Sequence, residues 1–313
     1  GFRDCQTIGY QSRQDIFSLE IKRPIPLYSK VIELDIRLTK SGNDFIKPNW
    51  KIITEQLKQI KIGSYNSICV SLIHGWKFPS YELEIQTILN QLGHKNVTLG
   101  HEISKTIKYI RRTHTSLVHA YVDPIIRSDI DNLKKEIYFD KNNICLRYMQ
   151  SNGGLAEEKN FRGINSILSG PAGGVMGAIS VGKNSGFKKI ITFDMGGTST
   201  DVSHFEGELE YKNEKTIDNQ ILQVPIIDID TIASGGGSIL EYKNSRMIVG
   251  PKSAGSYPGP MSYGKNGPLT LTDANLFLGK IIEKYFPHKF GRDGKSSLNK
   301  QIVSEEFNQL RDN

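Results

Sequence analysis

A β-branched run, Ile190-Ile191-Thr192-Phe193, leads into Asp194-Met195-Gly196-Gly197-Thr198-Ser199-Thr200-Asp201. An apolar strand therefore ends on a carboxylate, and a tight turn with two glycines and three hydroxyls follows. That composition suits a phosphate cradle. Glycines let the backbone come close to a phosphate and present its N–H groups. Thr198, Ser199 and Thr200 add hydroxyl donors. Asp194 and Asp201 cannot bind a phosphate directly but can hold Mg²⁺ or its waters. The chemistry this predicts is ATP handling by a loop unlike the P-loop. The plainer reading is a Gly-rich turn between two strands. Against it stands the coincidence of carboxylate, double glycine, hydroxyl cluster and second carboxylate.

Two further small-residue segments flank this one. Ser234-Gly235-Gly236-Gly237-Ser238 follows the apolar, Asp-bearing stretch Ile226–Ala233. It reads either as a flexible loop or as backbone that approaches adenine, ribose or phosphate. Leu168–Ile179 reads as a helix, yet glycines recur through it, each costing about 1 kcal/mol against Ala. Such a helix is expected where another backbone passes very close, and it can line a cleft. Other candidates point less sharply. His74 ends a strand pattern, where a histidine satisfied by its surroundings is the common case. His114 and His119 have poor helical spacing for a shared metal. Arg111-Arg112-Thr113-His114 reads as a solvated helix start, with an anion site as the alternative. No Ser-His-Asp or Cys-His arrangement has local support, so nucleophilic hydrolysis is not indicated.

These residues need elements to hold them. Short extended segments are expected up to about residue 40, among them Ile8-Gly9-Tyr10 and Val31–Arg37, with Pro24-Ile25-Pro26 between. Lys51–Ile62 is expected to be an amphipathic helix, Ser67–Ile73 a buried strand, Tyr81–Leu92 a helix stopped by Gly93, and Asn96–Leu99 a strand. Alternation of this kind favours α/β layering. Thr115–Tyr138 predicts a long helix broken or kinked at Pro124. Ile144–Gln150 predicts a strand followed by a turn at Ser151–Gly154, and a hairpin-like stretch is expected through Leu209-Glu210-Tyr211. Val249–Pro260 reads as a long loop. Leu271–Gly279 opens a helix with Thr272 or Asp273 as N-cap, and Ser304–Leu310 reads as helix.

The 313 residues suffice for two domains. No apolar run approaches the ~20 residues that span a bilayer, and the start carries neither a signal peptide nor an initiator Met, which predicts a piece of a longer protein. Three cysteines without metal or disulfide spacing predict a reducing compartment, with Cys69 in a core strand. The net charge of +7 invites a nucleic-acid reading. However, the lysines are scattered without arginine–aromatic interleaving, and stretches such as Asp140-Lys141-Asn142-Asn143-Ile144 read as a Lys, Asn and Ile bias across the whole sequence and not as a binding stripe. Neither a nucleic acid nor a membrane is expected as a partner.

The chain resembles the hydantoinase A and 5-oxoprolinase family. The likeness rests on Gly1-Phe2-Arg3-Asp4, Met149–Leu155, Leu168–Ala178, Phe193–Ser203, Asp228–Ser238, Val249–Pro260 and Thr272-Asp273-Ala274-Asn275-Leu276. Phe286-Pro287 followed by Phe290-Gly291 is more similar to the ATP-dependent 5-oxoprolinases than to the wider group. The resemblance implies an α/β, actin-like ATPase (ribonuclease-H-like) fold, two-lobed, with its N-terminal lobe incomplete. Residues 1–112 would be the remainder of the N-terminal domain. Residues 113–313 would be the ATPase domain, truncated at its C-terminus. By motif match, Asp194 would organise Mg²⁺ through water and act in catalysis with Asp201. Gly196, Gly197, Thr198 and Ser199 would hold the phosphates of ATP, and Gly235, Gly236 and Gly237 would form a further loop facing nucleotide or substrate. The implied reaction is the ATP-dependent hydrolysis of 5-oxo-L-proline to L-glutamate, of the glutathione-cycle type. It is coupled to a hydantoinase B-type half or subunit in a cytoplasmic, homo-oligomeric full-length protein.

Two alternatives remain open: a hydantoinase A or acetone carboxylase-like subunit acting on another carbonyl compound, and a non-catalytic nucleotide-binding module. The family's first phosphate loop, Asp-Arg-Gly-Gly-Thr-Phe-Thr-Asp, is absent, and where the family writes Leu-His-Ser-Tyr this chain has Ile73-His74 followed by Gly75 and Trp76. With half of the phosphate clamp missing, the isolated 313-residue chain is expected to be catalytically dead or nearly so. ADP formation by the purified chain that depends on 5-oxoproline would overturn this.

Overall fold

A parallel pair of strands cannot be joined by a tight turn and needs a crossover, usually a helix. Ile68–Val70 and Val97–Leu99 form such a pair, Val70 opposite Leu99, and helix Ser80–Gln91 carries the chain between them. The computed structural model describes residues 2–9, 17, 19, 25–137, 144–217, 220–243 and 246–312. Tyr10, Pro24, Tyr138 and residues 140–143 therefore lie outside the described residues. Contacts divide the chain into two units, residues 1–173 with 211–227 and residues 174–210 with 228–313. The fold is mixed α/β.

In the first unit, Asn49 caps helix Trp50–Lys58 by accepting from the Ile52 N–H at 3.3 Å. Ile53 and Leu57 of that helix, Ile85 and Leu89 of helix Ser80–Gln91, and Leu99 of the second strand form one core. Their i, i+4 spacing is what an amphipathic helix needs to bury one stripe. Gly93 follows that helix at φ +92°, a left-handed stop that favours glycine. The N-terminal segment departs from expectation, because Phe2–Ile8 is a helix and not extended chain. It lies beside helix Tyr109–Glu136, where His114 Nε2 is 3.4 Å from the Gln6 carbonyl.

Helix Tyr109–Glu136 runs unbroken through Pro124 for 28 residues. Tertiary contacts on either side of the proline override its local preference. Asp123 accepts from the Gly163 N–H at 2.7 Å, and Arg127 donates to the Glu158 carbonyl at 2.8 Å and to the Phe161 carbonyl. The helix also begins earlier than its apolar pattern suggests, and its start is not solvated. Arg112 is fully buried and donates to the carbonyls of Thr106, Leu72 and Ile73. Glu82, also fully buried, accepts from the N–H groups of Leu72 and His101 and lies 2.6 Å from His101 Nδ1. A Cβ on Gly75 would sit 2.1 Å from Glu82 Oε1, so only glycine fits that turn. His74, half-buried, lies just past this pinned strand end.

Burial, and then the Glu82 carboxylate, push the Cys69 thiol up to about 12, so it stays protonated at neutral pH. Among the described residues the cysteines form no disulfide.

In the second unit, Lys189–Met195 and Thr200–Glu206 form an antiparallel hairpin, and Asp230–Ile232 pairs on the far side of Thr200–Glu206. Side chains alternate between faces, so Ile190, Thr192 and Asp194 share one face with their partners Phe205, Ser203 and Asp201. Helix Ser169–Asn184 lies on that face, with Gly182 against Ile190 and Gly174 against Asp194. The close neighbours of these two glycines are thus side chains, not the passing backbone that the small-residue pattern suggested.

Three local expectations change in this region. Val249–Pro260 is not all loop, because Arg246–Ser253 pairs with Ser238–Lys243. A register shift between Ser238 and Leu240 absorbs Gly250 and Pro251, which a regular ladder would reject. The Ile226–Ala233 stretch splits into Ile226–Ile227, which pairs with Tyr211–Lys212, and Asp230–Ile232. Helix Leu271–Phe277 is capped by Thr270, with Asp273 as the reciprocal member of a capping box. Leu269, Leu276, Leu298 and Val303 form the core here, closed by Phe277 and Phe307 with ring centroids 5.0 Å apart. Among the described residues no helix is long and apolar enough to cross a membrane.

His119 and His114 on the long helix are both held below the ordinary histidine value of 6.5, chiefly by burial; Asp123 and the Gln6 carbonyl, respectively, oppose this. The unfolded chain therefore takes up protons near pH 6.5 that the folded chain refuses. The corresponding stability is present above that pH and is lost as pH falls toward the folded values. Tm should drop on acidification below about 6.5. H119Q should flatten the drop, measured by thermal melts from pH 8 to 5.

Candidate functional site

The hairpin register decides where the two carboxylates go. Asp194 pairs with Asp201 and Met195 with Thr200, leaving Gly196–Ser199 as the turn, closed by the Gly196 N–H donating to the Ser199 carbonyl at 2.9 Å. Direct opposition in an antiparallel pair places two side chains on the same face. Asp194 and Asp201 are therefore brought together as neighbours, and Thr231 extends the row because it pairs with Asp201 on the other side. Thr231 Oγ1 donates to Asp201 Oδ1 at 2.7 Å. A Cβ on Gly174 would sit 3.1 Å from Asp194 Oδ2, so the small residue leaves that carboxylate room.

Below this row lies a buried polar step. Thr192 and Ser203, 5% and 6% exposed, face each other with hydroxyls 2.9 Å apart, and the Ser203 N–H donates to Thr192 Oγ1 at 3.1 Å. The next pair down, Ile190 and Phe205, is apolar, with Phe205 buried. The face thus grades from two carboxylates at the turn to hydrocarbon within three ladder steps. Two like charges directly opposite one another are unfavourable without a counter-charge, which suits a bound cation.

The turn holds unused donors. Among the described residues, the N–H groups of Gly197, Thr198 and Ser199 and the hydroxyls of Thr198 and Ser199 make no hydrogen bond. Gly197 has no atom within 4 Å of where its Cβ would be, so no neighbour in the chain requires glycine there. A close-lying phosphate would require it. Gly196 differs, since its N–H closes the turn and its carbonyl accepts from the Gly236 N–H at 3.0 Å.

The structure brings Gly235, Gly236 and Gly237 to this same turn, but their N–H groups are engaged. They donate to Ser238 Oγ at 2.9 Å, to the Gly196 carbonyl and to the Gly197 carbonyl, respectively. Thr200 Oγ1 anchors the approach to the loop by donating to the Ser234 carbonyl. The nine residues expected from the sequence lie on this hairpin and on the Gly235–Gly237 loop beside it, Gly174 lies on the small-residue helix, and Thr231, which carries no local signal, joins them through Asp201, 30 residues away. The arrangement fits a phosphate group at Gly197–Ser199 and a hydrated Mg²⁺ beside Asp194 and Asp201.

The chain is similar to known proteins along its whole length. The family model described as hydantoinase/oxoprolinase matches residues 112–313, and that of the hydantoinase/oxoprolinase N-terminal region matches residues 1–93. The 5-oxoprolinase of Saccharomyces cerevisiae is 39% identical over 342 residues, covering 100% of this chain and 26% of the relative. The crystal structure of the ATP-dependent caprolactamase from Pseudomonas jessenii is similar at a TM-score of 0.73 and 27% identity, covering 99% of this chain and 46% of that one. Nucleotide-free acetone carboxylase is similar at 0.68 and 25%, covering 88% and 39%. The chain spans about a quarter of the length of the 5-oxoprolinase it matches.

The buried Thr192–Ser203 pair gives a stability test for the floor of the site. T192V leaves the Ser203 hydroxyl without its partner and should cost roughly 1–3 kcal/mol, while T192V/S203A should recover part of the loss. Denaturant unfolding of the three proteins measures both effects.

Proposed function

The chain belongs to the hydantoinase/oxoprolinase family, and from that premise we propose that it carries the phosphate-handling part of an enzyme hydrolysing 5-oxo-L-proline to L-glutamate with ATP as co-substrate. The observation that carries this reading is the set of unengaged donors at Gly197, Thr198 and Ser199, set beside the opposed carboxylates of Asp194 and Asp201.

An unactivated lactam resists water because amide resonance protects its carbonyl. In the proposed reaction the lactam oxygen attacks the γ-phosphorus of ATP. The bond from phosphorus to ADP breaks as the bond to the lactam oxygen forms. Water then adds to the activated carbon and the ring C–N bond opens, the nitrogen taking up a proton to give the amino group and leaving an acyl phosphate. A second water displaces the phosphate, which leaves with its oxygen, and supplies the second oxygen of the γ-carboxylate of glutamate. The amides of Gly197–Ser199 bind the phosphate oxygens and stabilise charge that develops on them. Asp194, with Asp201 oriented by Thr231, would hold a hydrated Mg²⁺, whose charge would offset that of the phosphates. Gly196 shapes the turn, and Gly235, Gly236 and Gly237 stand behind it.

On this reading the fold is actin-like and two-lobed. Residues 1–112 belong to its N-terminal domain and 113–313 to its ATPase domain, and a hydantoinase B-type half completes the full-length homo-oligomer. A second reading, action on another lactam or carbonyl compound, draws on the likeness to the caprolactamase and acetone carboxylase structures.

In the full-length protein, D194N should lower ATP turnover with 5-oxoproline by about 10²–10³-fold with an unchanged melting temperature. Turnover with 5-oxoproline, hydantoin and caprolactam, compared side by side, separates the two readings. Full activity of D194N would overturn the role given to Asp194.

A further inference from the structure

The motif Leu271-Thr272-Asp273-Ala274-Asn275 takes no part in the proposed reaction, yet its side chains are among the most tightly held in the second unit. Asp273 is fully buried and accepts four hydrogen bonds, from the N–H groups of Met261 (3.0 Å), Ser262 (2.8 Å) and Thr270 (2.8 Å) and from Thr270 Oγ1 (2.8 Å). It therefore ties the start of helix Leu271–Phe277 to the turn at Met261–Tyr263. Thr272, the next residue back, points the other way. Its N–H and its hydroxyl both donate to the Gly236 carbonyl, at 2.7 and 2.8 Å.

Gly236 passes that restraint on. Its own N–H donates to the Gly196 carbonyl at 3.0 Å, and the Gly237 N–H donates to the Gly197 carbonyl. The two backbones meet so closely that no side chain fits between them. A Cβ on Gly235 would lie 2.7 Å from the Thr198 carbonyl carbon and 2.8 Å from the Ser199 nitrogen. One on Gly237 would lie 2.8 Å from the Gly197 carbonyl oxygen, and one on Gly236 would lie 2.7 Å from Thr272 Oγ1. The Gly235–Gly237 loop is thus held by Thr272 on one side and by the Gly196–Ser199 turn on the other. Its N–H groups are all engaged, which leaves it no free amide donors.

We propose that Thr272 is a positioning residue. Through Gly236 it fixes the carbonyls of Gly196 and Gly197, and so sets the direction in which the free amides of Gly197, Thr198 and Ser199 point. Gly235–Gly237 act as a rigid backing and not as ligand donors. The proposal rests on the phosphate reading of the Gly197–Ser199 turn, and it assigns the orientation of that turn to a residue that never touches phosphate.

The test compares T272V, which keeps the N–H and shape but loses the hydroxyl, with T272S, which keeps both donors, in the full-length protein. Without nucleotide, T272V should speed hydrogen–deuterium exchange across residues 194–200 and raise KM for ATP about tenfold, the loss of one hydrogen bond, while kcat at saturating ATP changes less than threefold. T272S should stay within about twofold of the parent in both measures. In G236A the new methyl meets Thr272 Oγ1, so G236A should behave like T272V, and G236A/T272A should be no worse than T272A alone. Unchanged exchange across 194–200 in T272V, or a fall in kcat without a rise in KM, overturns the proposal. If T272V loosens the turn but a non-hydrolysable ATP analogue gives the parent no protection across 194–200, the phosphate reading is overturned and the positioning contact stands.

Discussion

The second unit depends on one close approach. The backbones of Gly196–Ser199 and Gly235–Gly237 meet at distances that admit no Cβ on either Gly235 or Gly237. Carbonyls of the first loop accept N–H groups of the second. The turn that presents free amides at Gly197–Ser199 is held from behind, by a second loop whose Gly236 and Gly237 N–H groups donate to the Gly196 and Gly197 carbonyls. The two glycine-rich loops look alike in composition, but hydrogen bonding divides their roles: one leaves the N–H groups of Gly197–Ser199 free, the other uses those of Gly236 and Gly237 to hold its neighbour and that of Gly235 on Ser238.

The carboxylate pair follows from the same hairpin. Once the turn is fixed at Gly196–Ser199, ladder register makes Asp194 and Asp201 direct neighbours, and a shift of one residue would send them to opposite faces. The buried Thr192–Ser203 pair and the apolar Ile190–Phe205 pair below them hold that register, because any slip would bury unmatched groups. Gly174 completes the arrangement from the helix side by leaving the Asp194 carboxylate clear.

The first unit shows a parallel use of buried polar groups. Glu82 and Arg112 sit in the interior and bond to backbone around the end of strand Ile68–Val70, so two charges fix a turn that apolar packing could not direct. Removing either side chain would leave the buried backbone groups it bonds without a partner. The apparent solvated helix start at Arg111-Arg112 misled for this reason: an arginine is polar in any local pattern, and only its distant acceptors show that it is buried.

Sequence by itself determined the strand-turn-strand around Asp194, the helices with clear i, i+4 stripes, the small-residue helix, the two glycine-rich loops and the family. All of these rest on residue type and local spacing, which the chain carries openly. Tertiary structure decided what local pattern cannot encode. Pro124 stays within a helix because Asp123 and Arg127 are held from elsewhere, and Val249–Ser253 becomes strand because Ser238–Lys243 offers a partner with a register shift. Thr231 and Thr272 matter only through Asp201 and Gly236, each about 30 or more residues away. The division of labour between the two glycine loops is likewise invisible in sequence, because glycine specifies that backbone can come close and says nothing of which acceptor its N–H will find.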